Sequence, residues 1–210
     1  MRSLVIELLV ATTNPGKFAE VQAFLNELPL RITSLRSLTH PPQVIEDGET
    51  FKENALKKAR TLAQFSGLPT LADDSGLEVD ALNGAPGIYS ARYAGADGDD
   101  DRNNQKLLCE LENVPETRRT ARFVCALALC IPGANGVNEW TTQELCDGRI
   151  AFGLSGSQGF GYDPLFFYPP FGKTFGEIAR EEKATVSHRG KALQKLAKDL
   201  SSLLAMAAKP

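Results

Sequence analysis

The chain has 210 residues, of which 42% are hydrophobic and 23% are charged, and its formal net charge is −3 at neutral pH. This length and composition allow one substantial core, formed either as one domain or as two closely joined lobes. The negative charge argues against a broad nucleic-acid-binding surface, and no apolar stretch reaches the roughly 20 residues that a membrane-spanning helix needs. We therefore expect neither a nucleic acid nor a membrane as a partner.

The first predicted element is a strand at residues 4–11, which are apolar except for Glu7. A signal-peptide segment is the less favoured interpretation, because Glu7 interrupts the apolar run and a polar loop follows it directly. Asn14 and Pro15 then suit an N-cap and a first helical position, and apolar residues follow at helical spacing. This helix start and Lys17 predict an anion site, with an ordinary helix start as the alternative.

A second helix is predicted to begin after Thr50, because Thr50 and Glu53 have the spacing of a capping box. Glu53 and Lys57 are four residues apart, so they lie on one face of this helix. The two side chains either form an ion pair on the surface or both face the acidic pair Asp73-Asp74 farther along the chain.

The most informative stretch is the adjacent pair Asp73 and Asp74, which follows a short apolar run and precedes a predicted Ser75-Gly76 turn. Two neighbouring carboxylates repel each other, so a buried pair needs a cation or a proton. Mg²⁺ is the usual cation, because it takes one or two carboxylates, several waters and the phosphates of a substrate. Glu46, in a predicted turn before the second helix, could complete the metal ligands. The alternative is a solvated turn without chemistry.

The middle of the chain indicates a mixed α/β fold. Residues 77–99 predict a hairpin and an ordered loop, and residues 102–111 predict a helix. Two strands are predicted at 121–131 and 137–145, joined by a turn at 132–136. Successive strands after an α/β start favour a mixed sheet over strict alternation of strands and helices.

The four cysteines show neither metal-site spacing nor a nearby set of histidines. Two of them lie in an apolar run, where cysteine usually packs as a small hydrophobic residue. We therefore expect reduced, structural cysteines and a cytoplasmic protein. They are Cys109, Cys125, Cys130 and Cys146.

Residues 159–164 carry side chains suited to a nucleotide base, with two glycines beside Phe160, Tyr162 and Asp163. Glycine allows close backbone approach, and an aromatic face can stack on a base. Asp163 could accept a hydrogen bond from a ring N–H. A glycine-aromatic turn packed in the core is the alternative.

A second candidate for base recognition follows at the start of the last predicted helix. Ser187 suits its N-cap, which places His188 and Arg189 in the first turn. Cations at that position oppose the helix dipole. Their placement makes more sense if a ligand anion or a polar base edge lies beside them.

In this order, the motifs closely resemble the inosine triphosphate pyrophosphatase family, the XTP/dITP diphosphatases. The resemblance covers nearly the whole chain, from about residue 5 to residue 195. Each motif alone is weak, but the combination is highly specific. The matching stretches are ATTNPGK at 11–17, TFKENA at 50–55, ADDSGL at 72–77, GAPGIYSARY at 84–93, FGYDP at 160–164 and EEKATVSHRG at 181–190.

The resemblance implies a Mg²⁺-dependent hydrolase that converts the purine nucleoside triphosphates ITP, dITP, XTP or dXTP to the monophosphate and pyrophosphate, and so cleans the nucleotide pool. It implies an elongated mixed β-sheet flanked by helices, of the ITPase/Maf-like type. Residues 1–210 would form a single domain of two lobes with the nucleotide cleft between them. It also implies a homodimer.

Carried over to this chain, the family pattern implies individual roles. Asp74 would be the catalytic base and a metal ligand, with Glu46 and Asp73 as further metal ligands. Ser75 and Lys57 would contact phosphate. The triphosphate would be held by Thr12, Thr13, Asn14, Pro15, Gly16 and Lys17. The base and sugar would be bound by Phe160, Gly161, Tyr162, Asp163, Lys183, His188 and Arg189.

The implied substrate preference has a chemical basis in the 6-position of the purine. Hypoxanthine and xanthine carry a keto acceptor where adenine carries an amino donor. A fixed donor from His188, Arg189 or the backbone would pair with the keto group and leave adenine's amino group facing another donor.

Three alternatives are weighed against this function. A Maf-like pyrophosphatase acting on modified pyrimidine nucleotides would share the chemistry but not these base-pocket motifs. A catalytically silent nucleotide sensor would not need the paired acids. An RNA-binding accessory protein is disfavoured by the net negative charge.

Overall fold

The computed structural model describes residues 6–26, 28–95, 98–133 and 136–207. Within these ranges the chain forms seven strands and five α-helices. The strands are β1 (Ile6–Val10), β2 (Leu30–Ser34), β3 (Thr70–Val79), β4 (Thr120–Gly133), β5 (Gly136–Ile150), β6 (Phe166–Tyr168) and β7 (Lys173–Thr174). The helices are α1 (Pro15–Leu25), α2 (Phe51–Ser66), α3 (Asp100–Glu110), α4 (Arg180–Val186) and α5 (His188–Ala207).

The strands form a sheet in the order β2-β1-β3-β4-β5-β6-β7. β1 pairs in parallel with β2 and β3, whereas β6 pairs in antiparallel fashion with β5 and β7. The sheet is therefore mixed, and the predicted α/β fold class is confirmed.

The chain divides into two compact units, each with its own buried apolar side chains. The first unit buries apolar residues of β1, α1 and α2, and the second buries a cluster around Phe123, Phe166 and Phe175. The single two-lobed domain stays a prediction. The first unit comprises Met1–Asp74, Ala126–Gln143 and Ala192–Pro210, and the second comprises Ser75–Cys125 and Glu144–Lys191.

The predicted start of α1 is confirmed. Asn14 Oδ1 accepts a hydrogen bond from Lys17 N at 3.0 Å, and Pro15 is the first helical residue. Proline suits this position because its missing N–H would have no partner inside the helix anyway. The chain therefore leaves β1 and enters α1 through a short polar loop.

The predicted starts of α2 and α5 are also confirmed. Thr50 Oγ1 accepts from Glu53 N at 3.1 Å, and Ser187 Oγ accepts from Gly190 N at 3.1 Å. The Glu53 carboxylate accepts from Glu49 N at 2.8 Å. Only the threonine half of the predicted capping box is therefore formed.

The predicted turn at Ser75-Gly76 is wrong, because β3 runs without interruption from Thr70 to Val79. Leu77 and Val79 are fully buried, so apolar residues continue the strand beyond the two aspartates. Asp73 and Asp74 therefore lie within a strand that β1 and β4 flank in the sheet. Successive side chains of a strand point to opposite faces, so the two carboxylates are not equivalent.

The hairpin predicted at 77–99 is reduced to a single antiparallel bridge, between Glu78 and Pro86, in the described residues 77–95 and 98–99. Short 3₁₀ turns at Asp80–Leu82 and Gly87–Arg92 follow β3. The helix predicted at 102–111 begins earlier, with Asp99 as its N-cap.

Three predicted segments lie partly outside the described residues. The residues that are not described are positions 4 and 5 of the predicted first strand, Ala96 and Asp97 of the segment 77–99, and Ala134 and Asn135 of the predicted turn at 132–136. The flanking strands β4 and β5 are confirmed and are longer than predicted.

All four cysteines are free, and three of them are buried. The three buried cysteines agree with the predicted packing role, whereas Cys109 is exposed. In the described part of the chain, no helix is both long enough and apolar enough to cross a membrane.

Candidate functional site

Lysines from two helices meet carboxylates in the first unit. Lys17 Nζ, from α1, lies 2.7 Å from Asp73 Oδ1. Lys58 Nζ, from α2, lies 2.6 Å from Glu46 Oε1 and donates to the backbone oxygen of Asp73 at 3.1 Å. We call this group the lysine–carboxylate cluster. Its five members are Lys17, Glu46, Lys58, Asp73 and Asp74, the residue that follows Asp73 in β3.

Asp74 has a raised pKa within this cluster. Its side chain is buried, and its Oδ2 has no hydrogen-bond partner among the residues that the structure describes. Burial is the main reason why the pKa of Asp74 rises to about 6, and Lys17 and Lys58 oppose that rise. Glu46 and Asp73 add to it as like charges. Asp74 can therefore exchange a proton near neutral pH and presents an oxygen suited to a cation.

The cluster fits a magnesium ion only as part of a larger set of ligands. No three His, Cys, Asp or Glu side chains in the described ranges form a group that could hold a metal ion. Mg²⁺ does not need such a group, because it commonly takes one or two carboxylates and completes its shell with water and phosphate oxygens. The buried, unpartnered Oδ2 of Asp74 is a fitting first ligand.

The loop before α1 presents polar groups beside this cluster. Thr12 Oγ1 accepts from Asn14 N at 3.1 Å, which fixes the turn that caps the helix. Thr13, Asn14 and Pro15 are exposed, and Gly16 is half-buried. The N–H groups of the first turn and the Lys17 ammonium together form a positive end that favours an anion.

The lysine selected from the sequence, Lys57, is not the one that joins the cluster. Lys57 Nζ donates to Asp47 Oδ1 on the surface, and this bond lowers the pKa of the Asp47 carboxyl. Lys58, the next residue, is largely buried and bonds to Glu46 and Asp73. Sequence reasoning missed Lys58. Its only signal was helical spacing, four residues after Asn54 and before Leu62, both of which are buried.

A second group of side chains lies in the second unit, between the turn at 159–163 and the last two helices. Lys183 Nζ, from α4, donates to Asp163 Oδ2 at 2.6 Å and lies 5.0 Å from the centre of the Phe160 ring. The guanidinium carbon of Arg189 lies 5.6 Å from the same ring centre. We call this group the aromatic–cation cluster. Its five members are Phe160, Asp163, Lys183, His188 and Arg189.

The turn that carries Phe160 depends on glycine. Gly159 has a φ of +76°, and a Cβ there would lie 2.0 Å from Asp163 Oδ2. The missing side chain lets Asp163 Oδ2 accept from Phe160 N at 2.9 Å. Phe160 is only half-buried, so part of its ring stays accessible to a planar ligand.

The first turn of α5 brings His188 and Arg189 to the cluster as predicted. The His188 ring stacks on Phe123, with ring centres 4.7 Å apart and an interplanar angle of 14°. Arg189 Nη2 donates to Ser75 Oγ at 2.7 Å. Both side chains are buried, so packing helps to set their orientations.

Tyr162 differs from the other predicted base-binding residues, because its hydroxyl donates to the backbone oxygen of Ser90 at 2.8 Å. Burial raises the pKa of this phenol well above its usual value. Ser90 Oγ in turn accepts from Leu77 N at 2.8 Å. Tyr162 therefore links the turn to β3 through Ser90.

Two relatives of this chain carry the name dITP/XTP pyrophosphatase. The chain is 50% identical over 197 residues to the dITP/XTP pyrophosphatase of Syntrophobacter fumaroxidans, covering 94% of this chain and 83% of that protein. It is 53% identical over 186 residues to the dITP/XTP pyrophosphatase of Geobacter sulfurreducens, covering 89% of this chain and 92% of that protein.

Solved structures agree with these sequence relatives. A HAM1 protein from Coxiella burnetii superposes with a TM-score of 0.84 at 40% identity, covering 94% of this chain and all of that one. A nucleoside-triphosphatase, dITP/XTP pyrophosphatase, from Mycobacterium abscessus gives a TM-score of 0.74 at 43% identity, covering 91% of this chain and 98% of that one. The Ham1 family model matches residues 8–199. The resemblance predicted from the motifs is confirmed, and the chain belongs to the Ham1 family.

Proposed function

We propose that this protein is a dITP/XTP pyrophosphatase, which hydrolyses non-canonical purine nucleoside triphosphates to the monophosphate and pyrophosphate. The curated relatives that carry this name match about nine-tenths of the chain at about half identity. The observation that carries the proposal is the buried Asp74 carboxylate, which has an unpartnered oxygen and lies in a cluster with two lysines.

The first unit would bind the triphosphate and catalyse its hydrolysis. The amides of the Thr12–Lys17 loop and the Lys17 and Lys58 ammonium groups offset the phosphate charge. The oxygen of a water molecule bonds to the α-phosphorus, the bond to the β-phosphate breaks so that pyrophosphate leaves, and Asp74 accepts the proton of that water. A pKa of about 6 leaves Asp74 mostly ionised at neutral pH and therefore able to act as this base.

We further propose that the activity depends on Mg²⁺, held by Asp74 and Glu46. When bound, the ion would neutralise phosphate charge and favour ionisation of the attacking water. Asp73 already forms a close ion pair with Lys17, which favours a role in balancing that lysine's charge over direct ligation. Lys57 and Ser75 stay candidates for phosphate contacts.

The second unit would recognise the base. Phe160 offers an aromatic face for stacking, which contributes on the order of 1–3 kcal/mol per base in nucleic-acid complexes. Lys183, His188 and Arg189 provide donors for the 6-keto group of hypoxanthine or xanthine. Adenine would bring its own amino donor to that position and bind less well.

The chemistry of the site favours an enzyme over a silent sensor. Isolated nucleotide binding needs positive charge and a base pocket, but it gains nothing from a buried carboxylate whose pKa lies near neutrality. The Maf-like alternative is disfavoured because the relatives that match nearly the whole chain are named for purine substrates.

The decisive assay measures pyrophosphate release, with Mg²⁺ and with EDTA, from ITP, XTP, dITP, ATP, GTP, dUTP and a methylated pyrimidine triphosphate. We expect Mg²⁺-dependent turnover of the first three at rates at least about 100-fold above that of ATP, because mismatched buried donors discriminate by about that factor. Preference for the pyrimidines would instead assign the Maf-like activity. Binding without release would indicate a sensor.

A homodimer and a cytoplasmic location also remain proposals that follow from the family. The free cysteines support a reducing compartment. Sedimentation velocity at micromolar concentration would test the dimer, since a species of about 45 kDa is expected from a chain of 22.7 kDa.

A further inference from the structure

Helix α3 holds both backbone polar groups of Gly161. Asp100 Oδ2 accepts a hydrogen bond from Gly161 N at 2.7 Å, and Asn104 Nδ2 donates to Gly161 O at 2.9 Å. Asp100 and Asn104 are four residues apart, so they lie on one face of α3. Neither residue belongs to the motifs that the sequence analysis identified.

These two bonds complete the support of the turn that carries Phe160. On one side the turn is closed by Asp163, whose Oδ2 accepts from Phe160 N at 2.9 Å and whose N–H donates to Phe160 O at 3.2 Å. Gly161 lies between them with a φ of +62°. Asp163 thus holds the ends of the turn and α3 holds its middle, so the position of the Phe160 ring depends on both.

The burial of Asn104 argues that its bond to Gly161 matters. Asn104 is 3% exposed, and its Oδ1 has no hydrogen-bond partner in the part of the chain that the structure describes. A buried amide oxygen without a partner is less favourable than an apolar side chain of similar size. Packing alone would therefore favour leucine here, whereas the bond to Gly161 requires an amide donor.

The neighbouring residue, Asn103, connects α3 to a second segment of the chain. Asn103 Oδ1 accepts from Ala94 N at 2.7 Å, and Asn103 Nδ2 donates to Ala91 O at 3.2 Å. Asn103 therefore links α3 to the end of the 3₁₀ turn at Gly87–Arg92 and to Ala94 just after it, while Asn104 links α3 to Gly161.

We propose that Asp100 and Asn104 are positioning residues for base recognition. They act through Gly161, by fixing where the turn presents Phe160 and Asp163, and so set the affinity for the purine base without changing the cleavage step. This inference rests on the proposed function, because it takes the turn as the base-binding element.

The first test compares Asp100→Ala with Asp101→Ala. Both residues are exposed acids in the first turn of α3, so both variants lose the same favourable charge at the helix N-terminus. In Asp100→Ala we expect KM for dITP to rise about five- to tenfold with kcat within about twofold. Asp101→Ala should change both by less than about twofold, and Asp100→Asn, which keeps an acceptor oxygen, should recover most of the affinity.

Hydrogen exchange of the Gly161 amide, followed by NMR without nucleotide, gives a readout that does not depend on catalysis. We expect exchange about tenfold faster in Asp100→Ala and unchanged in Asp101→Ala. Asn104→Leu, with folding checked by circular dichroism, should raise KM as Asp100→Ala does.

The two proposals fail in different ways. If the wild-type protein hydrolyses dITP selectively but Asp100→Ala matches Asp101→Ala in KM and in Gly161 exchange, the positioning role is overturned. If Gly161 exchange accelerates in Asp100→Ala but the wild-type protein releases no pyrophosphate from dITP, the proposed function is overturned and with it the link from α3 to base affinity.

Discussion

The ammonium of Lys183 donates a hydrogen bond to Asp163 Oδ2 at 2.6 Å, and the two side chains are 4% and 2% exposed. A charge pair at this depth persists because each partner compensates the other, since burial of one charge alone is strongly unfavourable. The same Asp163 oxygen accepts from Phe160 N. The pair therefore links α4 to the turn that we propose binds the base.

Asp163→Asn should destabilise the protein by about 3–5 kcal/mol, because it leaves a buried ammonium that has lost this carboxylate. Urea denaturation of the wild type and the variant measures the difference. The double variant Asp163→Asn/Lys183→Met should regain part of the loss, since it removes the uncompensated charge as well. A single variant as stable as the wild type would show that the pair contributes little.

Asp74→Asn should lower kcat for dITP at least 1,000-fold, because the amide cannot accept the proton of the attacking water. Binding of dITP, measured by isothermal titration calorimetry, should remain detectable. Residual turnover above about one-tenth of the wild-type rate would exclude Asp74 as the base.

The same variant should be more stable than the wild type in EDTA. The folded pKa of Asp74 is about 6, above its ordinary value of 3.8, so ionisation opposes folding. This opposition grows as pH rises through the interval from about 4 to about 6 and is complete above it. Asp74→Asn should therefore gain about 3 kcal/mol at pH 7.5 and about half of that at pH 5 in urea denaturation. An equal gain at both pH values would contradict the raised pKa.

Lys58→Met should reduce kcat/KM for dITP more than Lys57→Met does. Lys58 contacts Glu46 and the Asp73 backbone in the cluster, whereas Lys57 bonds to the exposed Asp47. The two variants remove the same charge from neighbouring positions of α2, so each serves as the control for the other. We expect at least a tenfold difference between them, and the reverse order would assign the phosphate contact to Lys57.

Gly159→Ala should raise KM for dITP and lower the free energy of unfolding by about 1–3 kcal/mol, because its Cβ would collide with Asp163 at a positive φ. Gly153→Ala is the matched control, since a Cβ at Gly153 meets no atom within 4 Å. That variant should stay within about 0.5 kcal/mol of the wild type. Steady-state kinetics and urea denaturation of both variants test the expectation.

The sequence alone determined the features that depend on neighbouring residues. The N-caps Asn14, Thr50 and Ser187 are confirmed because a cap is a bond between a side chain and a backbone N–H two or three positions away. Family membership was also accessible, because the motifs appear in the chain in a fixed order. The mixed sheet followed from the order of strand-like and helical segments.

Only the tertiary structure decided the features that depend on which elements pack together. The Ser75-Gly76 dipeptide predicts a turn locally, but flanking strands and the buried Leu77 and Val79 extend β3 through it. Helical spacing leaves Lys57 and Lys58 nearly equivalent, and the position of β3 against α2 selects Lys58. Asp100 and Gly161 are 61 residues apart, so no local pattern could pair them. Contacts between distant residues require the packed core that brings them within hydrogen-bonding distance.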